Sequence, residues 1–285
     1  MTTTVIQDAI TAIVNGEAFL VIVDDSSEVP AFSVLRQLMS TPFTCAMPVL
    51  TFLSEQNYSD TLALQRMNQP EIVDKPLTPA KFLPKLLDLF KRWETPPFFL
   101  LRQSLYQLMN GNEEGGLKIL KVLCERESTV KHCALQVFAT YFFRVKNDPK
   151  TAEKFLLASL KQYGKNLASI TTLGDIYMRH AMPKLAQKLF QSAKNSLPNS
   201  LALNPDIIQS SLMLSEMDQV MEHLVVMHQH GYMPNTALSF LSRVMVSEGS
   251  ENIAEASFNI KQGVLSKIQR AWDDTEEAVL SKAAG

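Results

Sequence analysis

"EIVDKPLTP", residues 71–79, is the stretch on which the reading of the N-terminal third of the chain turns. A short apolar run, Ile72-Val73, stops at Asp74, and Lys75 then stands directly before Pro76. Upstream, 19–23 and 48–53 are continuous apolar runs of strand length, the pattern of strands buried in a parallel sheet. Between these runs the apolar spacing is helical. Over 4–14 it takes in Val5, Ile6, Ala9, Ile10, Ile13 and Val14, and Asn15-Gly16 ends it in the manner of a C-cap. Residues 30–40, 59–67 and 80–93 repeat the spacing, and Phe82, Leu83, Leu86, Leu87, Leu89 and Phe90 share one side of the last segment. Strands alternating with helices predict an α/β module with a parallel sheet over 1–93.

After 94–96 (Glu-Thr-Pro) the grammar changes. Helix follows helix, with short polar breaks near 111–114, 127–130, 147–150, 164–166, 180–183, 198–205, 231–235 and 247–252. Residues 167–200 place Ile170, Leu173, Gly174, Tyr177, Ala186, Phe190, Ala193 and Pro198 in a spacing that resembles the tetratricopeptide unit. That unit reads W-x2-L-G-x2-Y, then A-x3-F, then P over about 34 residues, and only its tryptophan is replaced, by Ile170. Small Gly174 and Ala186 let two antiparallel helices approach, while Tyr177 and Phe190 fill the space to their neighbours. Looser copies flank it in phase: Phe143, Ala152 and Leu156 in 133–166, Gly116 and Leu120 in 97–130, and Ala254 and Phe258 in 234–263. Copies in phase favour repeats over a plain helical bundle. The resemblance implies an all-α solenoid of about five helical pairs over 97–266. A polar capping helix over 267–285 would complete a repeat domain spanning 97–285.

The first module resembles the later part of a bacterial response-regulator receiver, a flavodoxin-like fold of five strand–helix steps. There the third strand ends in the phospho-accepting Asp, the fourth in Thr or Ser, and the fifth in Lys-Pro. Here 19–23 followed by Asp24 matches the third, 48–53 followed by Ser54-Glu55 the fourth, and Val73-Asp74-Lys75-Pro76 the fifth. Pro30 follows the Asp two residues later than the family's loop proline does. Strict spacing back from Lys75 falls on Leu53, one before Ser54. The resemblance implies that Lys75 reaches over Asp24 from a strand end, with Pro76, cis in the family, setting the turn. Asp24, Asp25, Ser54 and Lys75 are the candidate phosphoacceptor region.

In this alignment the helix at 4–14 is the family's second, so the first strand and its acidic, Mg²⁺-holding pair are missing. A divalent cation then lacks most of its oxygen ligands, and phosphoryl transfer depends on that cation. A second alignment takes "VIVDDSSEV" as the first strand, with Asp24-Asp25 as the acidic pair; it loses the acceptor. In the plainest reading these two residues solvate a strand end. The module is therefore expected to be a truncated, degenerate receiver, and no cofactor is expected, Mg²⁺ entering only if the receiver site works.

The remaining chemistry is sparse. The 285 residues are 46% hydrophobic with a formal net charge of -2, which suits a globular protein and gives no global signal for nucleic acid. No apolar run is long enough for a membrane span, and the N-terminus lacks a basic start and a long apolar region, so a cytoplasmic protein is expected. Cys45, Cys124 and Cys133 have no metal spacing and are expected to be reduced thiols. His223, His228 and His230 lie at intervals of five and two residues rather than four, the wrong spacing for a metal pair on a helix. His132 and Cys133 are adjacent, which is not in itself a catalytic arrangement. No phosphate loop and no nucleophile elbow occurs, so no enzyme is expected.

Local charge is more informative. Residues 144–194 hold ten Lys or Arg against three acids, and 199–285 hold five against eleven. Solvated outer faces explain this, and so does an acidic partner segment, or a second copy of the chain, on the basic repeats. The inner-face positions Val137, Tyr141, Thr171, Asp175 and Met178 are not the Lys and Asn of a carboxylate clamp. They suit a helix or extended segment of another protein. The sequence thus predicts a non-enzymatic adaptor in two-component signalling. Its pseudo-receiver would dock a histidine kinase or a partner receiver, and its repeats a second protein. A phosphorylatable regulator with repeat output is the alternative, as is an assembly scaffold for a pilus, flagellum or secretion machine. A homodimer through the open sheet edge is the further expectation.

Overall fold

The computed structural model describes residues 6–25, 31–54, 61–67, 71–126, 130–164 and 166–229. Pro30, Glu55, His230, the copy at 234–263 with Ala254 and Phe258, and the capping helix at 267–285 lie outside these residues.

Three helices and three strands alternate first: α1 (Ile6–Val14), β1 (Val21–Asp24), α2 (Ala31–Met39), β2 (Val49–Leu53), α3 (Thr61–Gln65) and β3 (Glu71–Asp74). The strands form one parallel sheet in the order β1-β2-β3, with Val23 opposite Thr51 and Phe52 opposite Val73. Central β2 buries Val49, Leu50, Thr51 and Leu53, which is why its sequence is a continuous apolar run rather than an alternating one. Helix α4 (Pro79–Trp93) then packs on β3. Thr78 starts it by accepting the Lys81 amide through Oγ1, and Pro79 presets the first turn. Leu50, Val73 and Leu89 form the core beneath it, with Phe52, Phe82 and Leu86 packed against them. β1 is an edge strand, and Phe19 and Ile22 beside that edge are exposed. A small parallel sheet followed by many helices fits a partial receiver joined to helical repeats.

The helices that follow are α5 (Pro96–Met109), α6 (Glu113–Glu125), α7 (Lys131–Arg144), α8 (Pro149–Tyr163), α9 (Leu167–Arg179), α10 (Pro183–Lys194), α11 (Asn204–Met213) and α12 (Met217–Gln229). α5 packs on α6, α7 on α8 and α9 on α10, and each of these pairs packs on the next helix along. The tight corner inside each pair carries a left-handed residue. These are Gly111, Asn147, Ala181 and Ser215, and the last three follow one another at intervals of 34 residues. A left-handed residue lets the chain leave one helix and reverse within three or four residues. Side-chain oxygens of Asn112, Asp148 and Asn166 cap the helices that follow them.

Packing within the pairs follows the small-against-large rule expected from the sequence. Gly174 leaves room for the buried ring of Phe190. Ala139, Phe143, Ala152, Leu156, Leu173 and Ile176 form one core cluster across α7, α8 and α9, with Tyr177 against it. Tyr177 also donates its hydroxyl to Glu153. Buried Gln136 on α7 ties this pair to the next: its amide donates to Thr172 Oγ1 at 2.8 Å, and its carbonyl accepts from Ser169. Such a network is stable only because each member has a partner.

The expected boundary at 94–96 is a corner between α4 and α5, and the segments on either side of it pack on one another. Residues through His223 belong to one compact unit.

Candidate functional site

Parallel strands bring their carboxyl ends to one edge, and the four residues singled out from sequence meet there. Asp24 closes β1, Ser54 follows β2, and Lys75 follows β3 with its amide donated to Leu53 O at 2.9 Å. The Lys75–Pro76 bond is cis. Lys75 Nζ lies 2.5 Å from Asp24 Oδ1 and donates to the main-chain oxygen of Asp25 at 3.0 Å. The Asp24 side chain is 70% exposed, so the pair faces solvent and adds little stability.

Asp25 has the opposite character. It is 2% exposed, and both carboxylate oxygens are engaged inside the chain. Oδ1 accepts the amide of Ala31 at 2.8 Å, and Oδ2 accepts from Ser54 Oγ at 3.3 Å. Ala31 is the first residue of α2, so Asp25 satisfies one of the amides that a helix start leaves open and adds negative charge at the positive end of the helix. The two neighbouring acids therefore have separate roles: one exposed to solvent and paired with Lys75, one holding a helix. Asp25→Ala is expected to cost about 1–2 kcal/mol of stability, and Asp24→Ala less than about 0.5 kcal/mol. Urea unfolding of the two variants side by side checks this; the reverse order would overturn the capping role.

Among the described residues, no three His, Cys, Asp or Glu side chains converge to hold a metal ion. His132 Nε2 is 3.2 Å from Cys133 Sγ, but burial pushes that thiol up to about 12, the opposite of an activated nucleophile. Burial also raises Cys45, and it takes Cys124 up to about 12. None of the three cysteines is in a disulfide. His223 contacts Asn204 through Nδ1 at 3.3 Å, and burial holds it below its usual range. Among the described residues, no helix is long and apolar enough to cross a membrane.

The five partner-face residues lie on α7 and α9. Val137, Tyr141 and Thr171 are buried, Met178 is half-buried, and Asp175 accepts from Arg144 Nη2 at 3.1 Å. The chain itself lies over this stretch. α2 packs on α9, Cys45 Sγ meets Thr140 Oγ1 at 3.7 Å, and Arg144 Nε donates to Ser40 O at 3.3 Å. Arg66 O accepts the Leu167 amide at 3.0 Å. Across the same seam Arg36 of α2 forms an ion pair with buried Asp206 of α11. Burial pushes the Asp206 carboxyl up to about 7, opposed by Arg36 and reinforced by Asp175. Burial and neighbouring Arg179 together lower Arg144, and both guanidiniums lie over the Phe143 ring. Arg36, Arg144 and Asp206 are absent from the sequence-based site. The available signal was an acid and a base each set among apolar helical neighbours, in "NPDIIQSSL" and "SVLRQLM".

Compared with known proteins, the chain matches no family model, no curated protein and no solved structure.

Proposed function

We propose that this protein is a non-enzymatic adaptor: a degenerate receiver joined to tetratricopeptide-like repeats, regulating two-component signalling by binding other proteins. The carrying observation is the division of labour at the sheet edge. Lys75 meets Asp24 as the resemblance implies, yet Asp25 is fully engaged in capping α2 and buried. Phosphoryl transfer needs a divalent cation held by several oxygens, and Asp25 is not available for that here. The strand order supports the alignment behind this reading. In the doubly wound order 2-1-3-4-5, the third, fourth and fifth strands are neighbours whereas the first does not touch the fourth; β1 lies directly beside β2.

The receiver module would dock a histidine kinase or a partner receiver without accepting phosphate. The repeats would bind a second protein. Since α2 lies over part of their inner face, that partner either takes the face from α2 or binds at its margin, near Asp175 and Met178.

A second reading has its own support. Exposed Asp24 with a lysine 2.5 Å away is the arrangement a phosphorylatable receiver uses. The test is titration of the full chain with Mg²⁺ and beryllofluoride, followed by amide NMR beside an Asp24→Asn control. A flat response is expected. Shifts near Asp24, Ser54 and Lys75 that vanish in the control would overturn the adaptor reading in favour of a switch.

A further inference from the structure

The seam between α2 and the helical pairs is not fully closed. It leaves a solvent-open cavity of about 320 Å³, walled on one side by Ser33, Arg36 and Gln37 of α2 and on the other by Arg144, Thr171 and Asp175. This is the lower end of the size range for small-molecule sites. The walls are rich in donors. Arg36 engages Asp206 through Nη2 alone, and Arg144 uses Nε on Ser40 O and Nη2 on Asp175. Among the described residues, Nε and Nη1 of Arg36 and Nη1 of Arg144 have no acceptor, nor do the Ser33 hydroxyl and the Gln37 amide. The Arg36 and Arg144 side chains are 24% and 23% exposed, enough to meet a ligand and buried enough to weaken screening by water. Each guanidinium already meets one carboxylate, Arg36 that of Asp206 and Arg144 that of Asp175, so what the cavity offers a ligand is their remaining N–H donors.

We propose that this cavity binds a small molecule through an oxyanion group, phosphate or carboxylate, held between Arg36 and Arg144. Guanidinium is the side chain best suited to that task, because its fixed fork of donors matches the oxygens of either group. The Ser33 hydroxyl and Gln37 amide complete the set of donors. Arg36 belongs to the α/β segment and Arg144 to the helical pairs, so the bound group clamps one to the other. A ligand that binds only the folded, docked state raises its stability. The inference is independent of phosphorylation at Asp24.

The test uses the full chain with inorganic phosphate and, separately, succinate, against sodium chloride at matched ionic strength. Arginine Nε–Hε NMR signals report the site, and thermal unfolding reports the clamp. Saturable shifts at Arg36 and Arg144 with a rise in Tm are expected. Response to phosphate alone identifies a phosphate ligand, to succinate alone a carboxylate ligand, and to both a general oxyanion site. Two variants should each weaken binding by about tenfold or more: Arg144→Gln, which removes a cation, and Ser33→Glu, which adds a carboxylate while leaving the Arg36–Asp206 pair intact. Should Arg144→Gln fail to fold, Ser33→Glu decides. No saturable shift with either probe, or unchanged binding in Ser33→Glu, would overturn the proposal.

Discussion

Arg36→Ala is expected to destabilise the protein by about 2–3 kcal/mol at about pH 8, because it leaves Asp206 buried without its counter-charge. The loss should depend on pH, and its sign follows from the carboxyl. Asp206 sits at about 7 in the folded chain against an ordinary value near 3.8, so the native state holds this proton more tightly than the unfolded state does. Its contribution to stability is complete below about pH 4 and is lost as pH rises through about 7. Arg36 is the cause that holds the value down. Removing it raises the folded value further and deepens the loss on the alkaline side. At about pH 5 the acid is already protonated in both proteins, and the difference between them should shrink to about 1 kcal/mol. Urea unfolding of wild type and Arg36→Ala at about pH 5 and pH 8 makes the comparison, since other titrations cancel between them. An equal loss at both values would show that Asp206 stays charged throughout. The double variant Arg36→Ala with Asp206→Asn should lose the pH dependence and recover part of the stability.

Gly174→Ala is the second large effect. A Cβ at this position would collide with Cζ and Cε1 of Phe190, a fully buried ring held by the next helix. Either the ring leaves its rotamer or α9 and α10 move apart, at about 1–3 kcal/mol. Helix propensity works the other way, favouring alanine by about 1 kcal/mol, so the observed loss measures packing against propensity. Phe190→Leu removes the colliding atoms and should rescue the alanine. Four-way unfolding of wild type, both single variants and the double variant is expected to show a coupling of about 1 kcal/mol or more in favour of the double. Simple additivity would mean that the ring does not set the approach of the two helices.

These two sites differ in how far they could be read from the chain. The Gly174–Phe190 contact was legible because its cause is periodic. One glycine and one aromatic at repeat spacing imply a close helical approach whatever else the fold does, and the 34-residue interval reappears in the left-handed corners at Asn147, Ala181 and Ser215. The strands were legible too. The predicted runs 19–23 and 48–53 fall within two residues of Val21–Asp24 and Val49–Leu53; β2 is continuously apolar because both its faces are buried, whereas the run at β1 lies on the sheet edge with Phe19 and Ile22 exposed, so burial on both faces was not the reason for it. The meeting of Asp24, Ser54 and Lys75 followed from topology alone, since parallel strands in one sheet share a carboxyl edge.

The Arg36–Asp206 pair was not legible. Its partners are 170 residues apart, and nothing in either neighbourhood names the other. The same limit applies to Asp25, whose spacing suggested a strand-end acid or a metal ligand and whose side chain caps α2 instead. It applies also to Val137, Tyr141 and Thr171. Periodicity identified the helix face they share, but a face says only that something apolar covers it, and here the cover includes the chain's own α2 and the turn that follows. The sequence by itself determined the elements, their order and the small-against-large packing of neighbouring helices, all of which depend on contacts a few residues to one repeat apart. Only the tertiary structure decided which buried charges meet and what occupies the inner face. Those choices depend on how two distant segments dock, and docking is governed by shape and desolvation summed over the whole seam.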